Sequence, residues 1–213
     1  MTNILFVTSS PRGAASHSSR VAEQVLAGLV AADPSAVVVR RDLGREPLPH
    51  VGESFLGALF GAPESWNDEQ RDLVALSDKL IDELFAADVI VIGSAMINFT
   101  ITSTLKTWFD YISRSGKTFS YSTGAPVGLV TGKRVVLVEA KGGIYSQGPM
   151  KVHDYHQPYL RFVLGFLGMT DVEIIDVEGV AHGPEAAEKA VASAGERAAV
   201  AARTISDSLA AAA

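Results

Sequence analysis

Five short runs of aliphatic residues recur along the chain, and a segment of helical periodicity separates each from the next. The runs are Ile4–Val7, Ala36–Val39, Val89–Gly93, Arg134–Ala140 and Val172–Val177. Continuous, β-branched and short, such runs read as strands buried on both faces, as in a parallel sheet. The first intervening helix starts near Ser18, places Val21, Val25, Leu26, Leu29 and Val30 at helical spacing, and stops at Asp33-Pro34. The second spans 68–86 behind an Asn67 cap, with Leu73, Leu76, Leu80, Ile81 and Leu84 on one stripe. Further helices are expected over Ser103–Arg114 and Tyr159–Leu167, and an alanine-rich one from Pro184, where proline suits a first turn. Residues 42–66, rich in proline and glycine, are too long for an ordinary connection and predict a surface excursion with a short helix. Residues 118–121 are placed to pair with 127–130 as a small hairpin.

Strands alternating with helices predict an α/β fold. Right-handed crossovers make it a doubly wound parallel sheet with helices on both faces. Five strands fit the flavodoxin-like order 2-1-3-4-5. No repeat or linker divides residues 1–213, so a single domain is expected.

Composition narrows the function. The chain is 47% apolar and 20% charged, which excludes disorder, collagen and coiled coil. A net charge of −6 without any Lys/Arg cluster argues against nucleic acid and against an anionic membrane surface. There is no cysteine, which removes disulfides, CxxC redox chemistry, Fe–S clusters and thiolate zinc sites. Any redox role then falls to an organic cofactor or a non-thiolate metal. The apolar segments Val89–Ile97 and Phe162–Met169 fall short of the roughly 18 residues a spanning helix needs. Met1-Thr2-Asn3 lacks a basic n-region, so a soluble cytoplasmic protein is expected.

In a sheet of this order, ligands bind beyond the strand carboxyl ends where strand order reverses. Three loops meet there. The first, Thr8–Ser19, carries five serines and one threonine in twelve positions and opens a helix. Hydroxyls, free backbone N–H groups and the positive end of the helix dipole suit a phosphate. Neither GxxxxGK[ST] nor GxGxxG is present, so a monophosphate held by neutral donors fits better than a triphosphate or dinucleotide. The bland alternative is a helix cap, which needs only one serine. The second loop, Ser94–Phe99, offers the Asn98 amide to the edge of a flat heterocycle and Phe99 to its face; alternatively Met96, Ile97 and Phe99 are core under a turn. The third, Lys141-Gly142-Gly143, lets backbone approach a flat ligand and aims N–H groups at negative charge developing on it. A lone Gly-Gly is more simply a strand-end turn. Convergence of the three loops on one crevice carries the reading.

These segments also carry a resemblance. Thr8-Ser9-Ser10 with Ser16-His17-Ser18, Met96-Ile97-Asn98-Phe99, Leu105-Lys106 with Phe109-Asp110, Thr118-Phe119-Ser120-Tyr121, Gly128–Lys133, Lys141–Ile144, Gly165–Gly168 and Gly183-Pro184-Glu185 resemble the FMN-dependent NADH azoreductases, also described as FMN-dependent NADH:quinone oxidoreductases. The resemblance covers nearly the whole chain. It implies a flavodoxin-like homodimer with tightly bound FMN near the interface and NADH as donor. It implies Ser10, Ser16, His17 and Ser18 at the FMN phosphate. It implies Met96, Ile97, Asn98, Phe99, Ala140, Lys141, Gly142 and Gly143 around the isoalloxazine ring. Phe99, Phe119, Tyr121 and Phe166 match positions that shape the substrate pocket, partly from the opposing subunit. Quinones or azo compounds are the implied acceptors, reduced by two electrons in a ping-pong cycle. Three features depart from the family pattern: Ile97 where tyrosine is frequent, Ala140-Lys141 where Ser-Arg is frequent, and a longer stretch over Met150–Gln157. Lys141 places a point charge where a bidentate donor is frequent, with a role at the pyrimidine end of the flavin.

Other residues read more plainly. His153 and His156 lie three apart, but no further metal ligand accompanies them, so a pocket-lining loop is expected. Ser16-His17 lacks the orienting third group of a nucleophile and base. His50 and His182 read as surface or loop residues, Trp66 and Trp108 as packing anchors. Asp68, Glu69, Asp72, Asp78, Asp82 and Glu83 read as a solvated helix face, and the terminal Ala-Ala-Ala as frayed. The rival functions are a flavodoxin-type electron carrier and a module without cofactor. A carrier needs an acidic face around an exposed flavin edge, whereas these loops carry Arg12, His17 and Lys141.

Overall fold

A computed structural model describes residues 1–122 and 124–212. Its elements follow the expected alternation: β1 Asn3–Thr8, α1 His17–Ala32, β2 Val37–Asp42, α2 Glu53–Phe60, α3 Asp68–Ala86, β3 Val89–Ala95 and α4 Ser103–Ile112. Then come the short strands β4 Phe119–Ser120 and β5 Val127–Gly128, followed by β6 Arg134–Lys141, α5 Gln157–Leu167, β7 Asp171–Glu178 and α6 Pro184–Ala212. The main sheet has the order β2-β1-β3-β6-β7 with every pair parallel. Counting only its five strands, this is 2-1-3-4-5, the flavodoxin-like order. β4 and β5 pair antiparallel as the expected hairpin.

Alternation along each strand sorts side chains onto two cores. Leu5, Val7, Ile90, Ile92, Val135 and Leu137 face α3, α4 and α5. Ile4, Phe6, Val89, Val91, Val136, Val138, Ile175 and Val177 face α1 and α6. β3 is buried from Val89 to Ser94 because it has a strand on each side and helices on both faces. β2 departs from the expectation of burial on both faces. As an edge strand it leaves Val37 and Val39 exposed, and it continues to Asp42 because Arg40 and Arg41 find Glu23 and Glu83.

Local chemistry sets the helix ends. Asn67 Oδ1 accepts from Gln70 N–H while Gln70 Oε1 accepts from Asn67 N–H, a complete capping box. α5 begins two residues before the expected Tyr159, because Pro158 fits a first turn and Asp154 Oδ1 accepts from the N–H groups of His156 and Gln157. α4 ends at Ile112, before the expected Arg114. Small residues bring α6 against α1: Ala194, Ala198, Ala201 and Ala202 are buried, and a Cβ on Gly28 would lie 2.7 Å from Ala202 Cβ. The hairpin docks on the end of α5, where a Cβ on Gly128 would lie 2.1 Å from Gly168 N.

Trp108 is fully buried and Trp66 partly so, as packing anchors should be. The α3 acidic residues are not one solvated face. Asp78 pairs with Arg114 (2.5 Å) and Lys117 (2.7 Å), and Glu83 pairs with Arg41, because basic residues from neighbouring elements reach the flanks of the helix. His50 is exposed and its Nδ1 meets Thr107 Oγ1 at 3.3 Å. The expected fraying of the last alanines falls partly on Ala213, outside the described residues. Among the described residues, no helix is long and apolar enough to cross a membrane.

Candidate functional site

The crevice opens at the carboxyl ends of β1, β3 and β6, where strand order reverses. Ser10, Pro11, Arg12, Ser16, His17, Ala95, Met96, Ile97, Ala140, Gly142, Val180 and Ala181 line it. One end is built for an anion. α1 starts there, and the N–H groups of His17 and Ser18 are the first two of the helix, without intrahelical acceptors. Ser16 caps α1 by accepting from Ser19 N–H, and its hydroxyl shares a hydrogen bond with Ser18 Oγ at 3.2 Å. Ser10 Oγ accepts from Arg12 N–H at 3.3 Å, which folds the loop back on itself. Ser9, Ser10, Ser16 and Ser18 are all buried, so this hydroxyl-rich turn is internal and exceeds what a cap requires. His17 Nδ1 is buried without a hydrogen-bond partner among the described residues. Burial, then Arg12 and Arg20, lower its pKa, which favours the neutral ring.

The rest of the lining is apolar: Ala95, Met96, Ile97, Ala140, Gly142, Val180 and Ala181. Backbone bonds fix these residues together. Met96 N–H donates to the Ala140 carbonyl (2.8 Å), and Ala181 N–H to the Gly142 carbonyl (3.0 Å). Ile97 and Thr100 exchange N–H···O bonds across a tight turn. Within that turn Asn98 has φ +47° and Phe99 has φ +74°. Asparagine tolerates the left-handed region; phenylalanine there is an outlier of the kind that clusters at ligand clamps.

The structure therefore brings Ser10, Ser16, His17, Met96, Ile97, Ala140 and Gly142 to one crevice. Ser18 lies just behind Ser16, fully buried. Asn98 and Phe99 are exposed, outside the lining residues. Gly143 is also outside them; its carbonyl accepts from Gly179 N–H. Lys141 is corrected: its side chain does not face the crevice. It is 1% exposed, and its Nζ lies among Glu139 (3.0 Å), Asp154 (2.8 Å), Asp176 (3.1 Å) and Glu178 (4.0 Å). The physical reason is strand alternation: Lys141 follows Ala140, which lies in the crevice lining, and four carboxylates make the buried position tenable for an ammonium. Burial works against that charge, but Glu139, Asp154 and Asp176 outweigh it and raise the Lys141 pKa. Burial pushes the Glu139 carboxyl up to about 7 against the pull of Lys141.

Phe119, Tyr121 and Phe166 form a separate aromatic cluster. Phe119 stands 4.7 Å from Phe166 and 5.6 Å from Tyr121, ring centre to ring centre, and none of the three lines the crevice of its own chain. The expected pocket-lining histidines divide. His153 is exposed and packs on Phe99, whereas His156 is fully buried, with Nε2 2.7 Å from Ser94 Oγ and no partner for Nδ1 among the described residues. Burial, aided by Lys141, lowers the His156 pKa to about 3. Among the described residues, no cluster of His, Asp and Glu is arranged to hold a metal ion.

Pro11, Arg12 and Ala95 join the lining from the first two expected loops, whereas Val180 and Ala181 come from a fourth loop, after β7, that the sequence reading did not include. Gly179, which takes φ +75° there, was its one sequence signal. A larger depression of about 800 Å³ lies between α2 and α4, walled by Phe55, Leu56, Phe60 and Trp66. Phe119 at the start of β4 also lines it, but its lining includes neither the carboxyl ends of the main-sheet strands nor the N-terminus of a long helix, so it lacks the anion-binding backbone of the crevice.

A hydroxyl-rich helix N-terminus with an orphaned imidazole nitrogen, continuous with an apolar lining, fits the phosphate and ring of FMN. The comparisons agree. The model of the flavodoxin-like fold matches residues 2–201. A FMN-dependent NADH:quinone oxidoreductase of Mesorhizobium japonicum is 52% identical over 192 residues, covering 90% of this chain and 91% of that one. One of Rhizobium johnstonii is 51% identical over 197 residues, covering 92% and 96%. The crystal structure of an azoreductase from Bacillus anthracis superposes with a TM-score of 0.87 at 36% identity, covering 96% of this chain and all of that one. The family resemblance carried by the sequence motifs is thus borne out. At this identity and coverage the chain belongs to the FMN-dependent NADH:quinone oxidoreductases of the flavodoxin-like fold.

Proposed function

We propose that this chain, acting as one flavodoxin-like unit over residues 1–213, binds FMN in the crevice and uses NADH to reduce quinones and azo compounds in two successive half-reactions. When bound, FMN supplies the two-electron centre that NADH reduces and that a quinone or azo acceptor reoxidises. The observation that carries this reading is the joining of the anion-binding end and the apolar lining in one crevice.

The chain's own residues bind and orient. Ser10, Ser16 and the α1 N-terminus anchor the phosphate, with Ser18 holding the Ser16 hydroxyl in place. His17 Nδ1 gains a partner there. Met96, Ile97, Ala140 and Gly142 flank the ring, and the Gly142 and Gly143 amides meet negative charge at its pyrimidine end. Asn98 reads the ring edge from the mouth, and Phe99 guards that mouth. Phe119, Tyr121 and Phe166 complete the acceptor pocket across a homodimer interface, since their cluster stands apart from their own crevice. No side chain is an obligatory acid or base, so protons come from water.

The test is a visible spectrum of the purified protein before and after anaerobic NADH. Flavin bands that NADH bleaches without a long-lived radical, and that a quinone restores, support the proposal. A flavin that NADH does not reduce makes the protein an electron carrier. Failure to take up FMN refutes the site. Asn98→Ala is expected to weaken FMN binding or shift its potential, and unchanged affinity and kinetics would remove Asn98 from the site.

A further inference from the structure

Lys141 ends β6 at the edge of the crevice, yet its ammonium serves a different structure. Two of the carboxylates around it hold the chain that arches from Tyr145 to His156. Glu178 accepts from the N–H groups of Tyr145 (2.8 Å) and Ser146 (2.9 Å) and from the Ser146 hydroxyl. Asp154 accepts from His156 and Gln157 N–H through Oδ1 and from Lys141 through Oδ2. Both feet of the arch therefore lead to one buried cation. The arch in turn brackets Phe99. The rings of Tyr145 and His153 stand 6.5 Å and 6.4 Å from the Phe99 ring. Tyr155 N–H donates to the Phe99 carbonyl at 3.1 Å, and the Thr100 hydroxyl donates to the Tyr155 carbonyl at 3.3 Å. An aromatic residue keeps a positive φ only where its surroundings over-determine it, and here the arch supplies those surroundings.

We infer that Lys141 is a positioning residue: by clamping both feet of the 145–156 arch it holds Phe99 at the mouth of the crevice and so sets the size of acceptor that enters. The inference rests on the proposed function in one respect, that acceptors enter past Phe99. The clamp itself is independent of that reading. Loss of this one cation would leave the carboxylates of Glu139, Asp154 and Asp176 facing one another without a counter-charge. Flexing the Asp154 foot breaks its 2.8 Å ion pair with Lys141, and flexing the other foot breaks the bonds from Tyr145 and Ser146 to Glu178, which lies 4.0 Å from the ammonium.

The test uses Asp154→Asn, which keeps an acceptor for the first N–H groups of α5 and removes the charge facing Lys141. Lys141→Met is the companion variant. Amide hydrogen exchange is followed at Tyr155. The ratio of kcat/KM for 2-methyl-1,4-naphthoquinone to that for 1,4-benzoquinone is measured with NADH as donor. In both variants the Tyr155 amide is expected to exchange at least about tenfold faster, with β1 and β3 amides unchanged. The two-ring to one-ring ratio is expected to rise about fivefold. Phe99→Ala should shift the ratio equally, and Asp154→Asn on top of it should add nothing, since coupled residues are not additive. A merely structural defect lowers both quinones by one factor and leaves the ratio alone, which overturns the inference. So do an unchanged Tyr155 exchange rate and an additive double variant. If Lys141→Met fails to fold, Asp154→Asn decides alone. A wild-type protein that takes up no FMN refutes the proposed function, while Tyr155 exchange still reports on the clamp.

Discussion

His156 makes an acid-sensitivity test whose size follows from its burial. The ring has no exposed surface, its Nε2 meets Ser94 Oγ, and its pKa falls to about 3 from an ordinary 6.5. The groups facing it are Lys141, which lowers the pKa, and Asp154, which raises it. A depressed folded-state pKa means that the unfolded chain takes up a proton the folded chain refuses. The stabilising contribution is therefore complete above about pH 6.5 and drains away as pH falls toward 3. Between pH 7.5 and pH 5 the unfolded histidine becomes almost fully protonated while the buried ring stays neutral. Linkage then removes about 2 kcal/mol, from the 1.5 units between 6.5 and 5 at about 1.4 kcal/mol each. That figure does not depend on the folded-state value so long as it lies well below 5. The assay compares urea unfolding of the wild type and His156→Gln at both pH values. Wild type minus variant should fall by about 2 kcal/mol at pH 5, because every other titration is common to the two proteins. A difference that stays constant within about 0.5 kcal/mol refutes the argument, and with it the claim that this imidazole is neutral in the folded protein.

Glu139→Gln tests the opposite sign in the same neighbourhood. The raised Glu139 pKa gives stability that is complete below about 4.5 and lost as pH rises through 7, so wild type should lose on the order of 2–3 kcal/mol relative to the variant between pH 5 and pH 8, read by urea unfolding. Gly128→Ala drives a methyl into the backbone at Gly168, with contacts from 2.1 Å, and should cost at least about 3 kcal/mol or detach the hairpin from α5; a fully stable variant contradicts that packing. Gly44→Ala places a Cβ 2.5 Å from the Ser10 carbonyl, which must shift the serine-rich loop after β1; FMN affinity measured by fluorescence titration should drop at least about tenfold.

The strand runs and helical stripes were legible because each core face repeats a simple period. Ile4 and Phe6 alternate with Leu5 and Val7, and both sets are buried. The hydroxyl-rich end of the crevice was legible for the same kind of reason, since serines crowd the start of one helix. The direction of the Lys141 side chain was not. It depends on which face of β6 the residue occupies at the strand's last position, and on Asp154, Asp176 and Glu178, which come from elsewhere in the chain. The wall made by Val180 and Ala181 was hidden too, because two small apolar residues after a strand carry no compositional signal. His156 looked like one of a pair with His153; only the turn between them, capped by Asp154, sends one ring inward and leaves the other outside.

The crevice draws on residues from Ser10 to Ala181, and α1 is held from behind by α6 through Gly28 and Ala202. During biosynthesis the serine turn emerges well before Val180, Ala181 and the α6 helix that backs α1. A nascent chain can thus fold its first strands and still lack part of the crevice lining. Cofactor capture must then wait for residues as far as Ala181, and a chain that stops short of α6 leaves the Gly28 face of α1 uncovered.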